Sequence, residues 1–305
     1  MFGRRIIDII IMSKEGTTSQ NNEKNGFQRF APKGELSKII ISEQLLNELP
    51  CGEQKGYRLV NKYLSIDYFI ESILQRYFYM SAPSKWEDPF ETKYLEILNG
   101  PVKDNLQLNA KDQLKEMSIY CTCMTYNGSD NEEASWRSYG DDIEQIIRVS
   151  YDFDKLCKIL DKAIDENIYI GKMNYQPREK IVKDTIVFDD TEGEDDSLAV
   201  LYVNNFCLKQ DAYQYEKELR FCKIKKGENI KEEYRIENVD LSPAIIQITL
   251  PPIKHKKLDA YKSISKNVDQ IKKYVILKTI CPDVPIHVSN LYDSSKVEMT
   301  SELKL

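Results

Sequence analysis

Met117-Ser-Ile-Tyr-Cys-Thr-Cys-Met-Thr-Tyr126 is a ten-residue run in which every residue but Ser118 is aromatic, β-branched, a thioether or a thiol, without Gly or Pro. That composition suits a pleated, half-buried surface and reads as a strand. Similar runs lie on its C-terminal side: IIRVSYD (146–152), IYIGKMNY (168–175), LRFCKI (219–224) and AIIQITL (244–250), the last stopped by Pro251-Pro252. VPIHVSNLYD (284–293) reads as an edge strand, and GYRLVNKYLS (56–65) as extended chain.

Helical spacing appears between the strands. SEQLLNELP (42–50) is a short helix with Ser42 as its cap and Pro50 as its stop. In SIDYFIESILQRY (65–77), Ile66, Phe69, Ile70, Ile73, Leu74 and Tyr77 recur at three- and four-residue steps, capped by Ser65 or Asp67. FDKLCKILDKAI (153–164) and KLDAYKSISKNVDQIKKYV (257–275) are further helices. Asn131-Glu-Glu-Ala-Ser-Trp136 reads as a short helix or turn. SLAVLYVNNFCLK (197–209) is the helix or buried strand that crosses the core, and its period leaves both open. Residues 13–36 are polar and read as a loop or arm.

Strands outnumber long helices and the two do not alternate regularly, which argues against a doubly wound or barrel architecture. The expected class is mixed α/β: a strand-rich core with irregularly inserted helices. The expected organisation is an N-terminal arm and short helix over 1–50, then one mixed domain over 51–305. That domain carries an acidic surface insertion near 180–197, where DDTEGEDD holds six acids in eight positions.

Of the 305 residues, 49 are acidic and 43 basic, a formal charge of -6. This gives no general attraction to nucleic acid; only the Lys-rich stretches 223–226 and 254–257 favour it. No apolar run reaches the ~20 residues of a membrane helix. Asp8 interrupts the short apolar stretch near the start, which reads as a strand or amphipathic arm rather than a leader. Seven cysteines, an odd number lying partly in strand-like runs, suit reduced thiols in a cytoplasm. Cys121 and Cys123 lack a second ligand pair, and His255 and His287 are the only histidines, so no metal is expected.

Phosphate loops, dinucleotide loops, zinc-protease helices and hydrolase elbows are missing from the sequence. Chemistry falls instead to polar-aromatic clusters. Ser84-Lys-Trp-Glu-Asp-Pro-Phe-Glu91 offers the rings of Trp86 and Phe90 and acceptors including Glu91, or is a rigid corner. Ser135-Trp-Arg-Ser-Tyr-Gly140 places Trp136 and Tyr139 three apart, beside Ser135 and Ser138, or is a capped turn. Tyr213-Gln-Tyr-Glu-Lys-Glu-Leu-Arg220, if extended, puts Glu216, Glu218 and Arg220 on one face. Paired acids there would suit acid–base work, or Arg220 would simply neutralise Glu218. Arg58, near the start of an apolar strand, needs an acid or a ligand phosphate.

In this order the clusters resemble a bacterial family of unknown function, DUF2971. The matching elements are Tyr57-Arg58, Glu87-Asp-Pro-Phe-Glu91, Cys121-Thr-Cys123, Trp136-Arg-Ser-Tyr139, Val149-Ser-Tyr151 and Glu216-Lys-Glu-Leu-Arg220. Glu87, Cys123 and Tyr213 stand where that family usually has Asn, Ser and Trp. More loosely, an early Arg, a middle Ser and a late Glu-x-Glu are similar to the arginine-type ADP-ribosyltransferases. That likeness implies an ADP-ribosyltransferase-like split sheet and NAD as a substrate held by Arg58, Trp86, Glu91, Ser135, Trp136, Ser138 and Tyr139. It implies Glu218, Glu216 and Arg220 as the catalytic set, no metal, and a small nucleotide or macromolecular acceptor. A noncatalytic ligand- or protein-binding regulatory module, and a metal-free nucleic-acid-acting protein, are the alternatives.

Overall fold

The computed structural model describes residues 27–30, 37–49, 58–83, 86, 117–126, 133–137, 142–177, 180, 195–227, 232–252, 260–289 and 291. The strands are β1 (Phe27–Arg29), β2 (Ile39–Ser42), β3 (Leu59–Ser65), β4 (Tyr77–Ser81), β5 (Met117–Tyr126), β6 (Ile146–Asp152), β7 (Ile168–Lys172), β8 (Asn174–Gln176), β9 (Leu208–Gln210), β10 (Glu218–Lys226), β11 (Glu233–Glu237), β12 (Ile245–Leu250) and β13 (Ile286–Val288). The α-helices are α1 (Glu43–Glu48), α2 (Ile66–Gln75), α3 (Glu133–Arg137), α4 (Phe153–Ala163), α5 (Asp195–Phe206) and α6 (Ala260–Ile280). The fold is mixed α/β, built on a large strand-rich sheet. Eleven strands form it, in the order β1-β2-β7-β10-β5-β3-β6-β12-β13, with β4 and β11 branching from β5. Most pairs are antiparallel; β2–β7 and β12–β13 are parallel.

Local chemistry explains several element ends. Ser42 and Ser65 accept from the backbone N–H groups of Leu45 and Asp67, and Asp152 accepts from Lys155. The ambiguous 197–209 stretch is helical up to Phe206, and Ala199, Val200, Tyr202, Val203 and Phe206 pack onto the sheet. Part of the stretch read as an N-terminal loop is a strand. Phe27–Arg29 pairs with Ile40–Ser42, which joins β7, because Ile39 and Ile41 enter one core and Phe27 and Ile40 the other.

The two faces differ. One buries Ile41, Val60, Val149, Leu219 and Phe221 beneath α1, α2, α4 and α6. The opposite face is covered at one end by α5 and at the other by α3, whose Trp136 packs on Tyr63 and Ile146. Between them runs a polar row. Glu218 lies opposite Thr125, Thr125 opposite Asn61, and Asn61 opposite Ser150. Each of these is buried.

Gly171 lets the end of α5 approach this face. It sits opposite Arg220, and a Cβ there would stand 2.5 Å from Cys207 Sγ. Gly171→Ala is expected to lower stability by about 1–3 kcal/mol through overpacking. A lower urea midpoint with an unchanged slope would show it.

Candidate functional site

Four charged side chains meet where β10 begins. A 3-10 turn over Asp211–Glu216 ends at Lys217, whose left-handed backbone (φ 43°) swings the chain into β10. The stretch read as extended is therefore bent at Glu216, yet Glu216 and Glu218 still come together. Lys209 Nζ, from β9, donates to Glu216 Oε2 at 2.6 Å and to Glu218 Oε2 at 3.0 Å. Arg220 Nε donates to Glu218 Oε1 at 2.6 Å, and its Nη1 to the Phe206 carbonyl at 2.7 Å. The latter bond ties the guanidinium to the electronegative end of α5. Trp86 lies over Arg220, 4.5 Å from ring centroid to guanidinium carbon. The Tyr175 hydroxyl accepts from the Glu218 backbone N–H at 2.9 Å.

This geometry separates the two acids. Burial pushes Glu216 up to about 7; Lys209 opposes that, and the neighbouring Glu218 carboxylate adds to it. Burial also works against ionised Glu218, but Arg220 and Lys209 outweigh it and hold that acid at about 2. Glu216 is thus held toward its protonated form up to the neutral range, while its neighbour stays ionised. Both oxygens of Glu218 are already engaged by cations.

The sequence-predicted residues divide into three groups. Glu216, Glu218 and Arg220 share the polar face with Ser135 and Trp136, because α3 touches the Asp211–Glu216 turn. Trp86 joins them through Arg220. Glu91, Ser138 and Tyr139 lie outside the described residues. Arg58 is a correction. Its carbonyl accepts from Phe153 N, and its guanidinium pairs with Asp154 of α4 at 3.3 Å. Strand alternation carries it to the opposite side of the sheet from Asn61 and Glu218.

Lys209, Thr125 and Tyr175 were not singled out in the sequence. Thr125 is 2% exposed, and its Oγ1 has no hydrogen-bond partner among the described residues. Trp136 Nε1 is likewise buried without one. Among those residues no group of His, Cys, Asp or Glu could hold a metal ion, and no helix is long and apolar enough to cross a membrane. Cys121, Cys123, Cys157, Cys207, Cys222 and Cys281 are free thiols. The lysine stretch at 223–226 is no open basic patch, since Lys223 and Lys225 both pair with Glu166.

A family described as "Protein of unknown function (DUF2971)" matches residues 135–221, which run from α3 through β10 and include Trp136, Glu216, Glu218 and Arg220. Over that part the chain is similar to this family. No curated protein and no solved structure matches the chain. The transferase and NAD reading is therefore corrected. The matching family's description carries no activity. The arginine on which the likeness depended is spent on Asp154 across the sheet, and the late glutamate is locked to Arg220 and Lys209.

Proposed function

We propose that the protein is a noncatalytic binding module for a small, uncharged, hydroxyl-rich molecule of the sugar or nucleoside kind. The ligand is received on the polar face beneath α3 and the Asp211–Glu216 turn. The observation that carries this reading is the pair of buried atoms Thr125 Oγ1 and Trp136 Nε1, without a partner among the described residues on one covered face. Each unmet group costs about 1–3 kcal/mol, and a ligand hydroxyl would satisfy either. Lys209 and Arg220 are both already engaged by the carboxyl oxygens of Glu216 and Glu218, so neither cation is left to hold an ionic ligand and a neutral one is favoured. The full engagement of Glu218 argues for binding rather than turnover.

A thermal-shift panel of sugars, nucleosides and NAD tests it. A neutral hydroxylated compound is expected to raise Tm, and Thr125→Val to weaken its binding by about tenfold, or ~1.4 kcal/mol. The variant itself should fold as well as the parent, because the lost hydroxyl had no bond to break. A panel without any stabilising neutral compound overturns the proposal. So does release of nicotinamide from NAD that disappears in Glu218→Gln.

A further inference from the structure

Cys121, Cys207 and Cys222 gather in the core that α5 covers, while Cys157 and Cys281 lie in the core across the sheet. Cys121 of β5 stands directly opposite Cys222 of β10, and their Sγ atoms are 3.4 Å apart. Along an antiparallel ladder, hydrogen-bonded and non-hydrogen-bonded pairs alternate. Tyr126 N donates to the Lys217 carbonyl, so that pair is bonded, and the Glu218 carbonyl turns the other way, to Met173 N just past β7. Glu218–Thr125, Arg220–Cys123 and Cys222–Cys121 are therefore the non-hydrogen-bonded pairs. Such pairs bring Cα atoms to about 4.5 Å and side chains closest, inside the ~4.4–6.8 Å that a disulfide spans. Closing 3.4 Å to a bond of ~2.05 Å asks about 0.7 Å of each sulfur.

We infer that Cys121 and Cys222 are a modification site, which a hydroperoxide joins as a reversible disulfide across β5 and β10. Cys123 follows Cys121 on the same face and is half-buried where Cys121 and Cys222 are buried, so this face meets solvent beside the pair. Hydrogen peroxide, scarcely larger than water, enters there. Cys121 Sγ, as thiolate, attacks one peroxide oxygen; the O–O bond breaks, a sulfenic acid forms, and the departing hydroxide takes up the thiol proton as water. Cys222 Sγ then attacks the Cys121 sulfur, and the hydroxyl leaves with the Cys222 proton as a second water. Two thiols and one hydrogen peroxide become one disulfide and two waters, sulfur losing the two electrons that peroxide gains. Burial pushes the Cys222 thiol well up, which suits it to the second step rather than the first. Cys207 also hydrogen-bonds with Cys222, but it follows a helix, and no strand register sets it opposite. The bond closes a loop between residues 101 apart. It staples the two strands that carry Thr125 and Glu218, whatever the polar face binds.

The test is hydrogen peroxide on the folded full chain, thiol blocking in denaturant, and tryptic mapping without reductant. Cys123 shares a tryptic peptide with Cys121, so the map is read in Cys123→Ser as well as in the parent. Both should yield the Cys121 peptide linked to the Cys222 peptide, lighter by two hydrogens and released by dithiothreitol. Oxidation should raise the urea midpoint of the parent, because the cross-link restricts the unfolded chain, and reduction should return it. Cys222→Ala should lose both the link and the shift. Should that variant not fold, the two maps and the parent's shift decide. Linkage of Cys222 to Cys207, oxidation confined to Cys123, a pair left as thiols in both proteins, or a link that leaves the midpoint unmoved overturns the assignment.

Discussion

Arg220→Ala is expected to destabilise the protein by about 3–5 kcal/mol, the usual penalty for removing one partner of a buried ion pair. Glu218 is 1% exposed and would lose its 2.6 Å bond from Nε. The Phe206 carbonyl at the end of α5 would lose its donor, and Trp86 the cation beneath its ring. Lys209 cannot compensate, because it already serves both Glu218 and Glu216. Arg220→Lys should recover little: a point charge cannot reach a carboxylate and a carbonyl along two fork directions. Arg220→Met combined with Glu218→Gln should be far milder than either single change, since it removes the charges together. Urea melts of the four species at pH 7 give the coupling directly. A loss below about 1 kcal/mol for Arg220→Ala would show that the network is solvated.

Such a network explains where sequence reading succeeds and stops. Ser42, Ser65 and Asp152 cap their helices through contacts two or three residues away, so local sequence suffices. The run 117–126 forms β5 because successive residues send apolar side chains alternately into two covered faces, Tyr120, Met124 and Tyr126 into one and Ile119 and Cys121 into the other. Residues 197–209 defeat periodicity because the contiguous apolar run Leu198–Val203 fits a helix or a buried strand alike, and the contact of α5 with the sheet settles the matter. Glu216 and Glu218 were expected to share a face as strand neighbours. They meet instead because a left-handed Lys217 turns the chain and Lys209 bridges them. Neither the turn nor the bridge has a local signature. Arg58 fails for a related reason: its side follows from β3 pairing with β5 and β6 in one register, and that register is a property of the assembled sheet.

The same bridge predicts an unusual pH dependence. Glu218 has a folded pKa near 2, below its ordinary value of 4.5. The unfolded chain therefore binds more protons between those values, and stability rises with pH across that window. Glu216 has the reverse shift, from 4.5 to about 7. Here the folded chain holds the extra proton, so its contribution is complete below 4.5 and is lost as pH climbs through 7. The pair alone thus gives a maximum between the two windows, near pH 5, where Glu218 is ionised and Glu216 is not. Glu216→Gln fixes the second group in a neutral, hydrogen-bonding form. It should match the parent near pH 5, then exceed it by about 2 kcal/mol at pH 8, the scale of a shift of this size in a coupled buried pair. Urea midpoints at pH 5, 6, 7 and 8 for the parent and the variant measure the divergence. Parallel profiles would mean that Glu216 is ionised throughout, with Lys209 neutralising both acids, and that the two carboxyls do not share a proton.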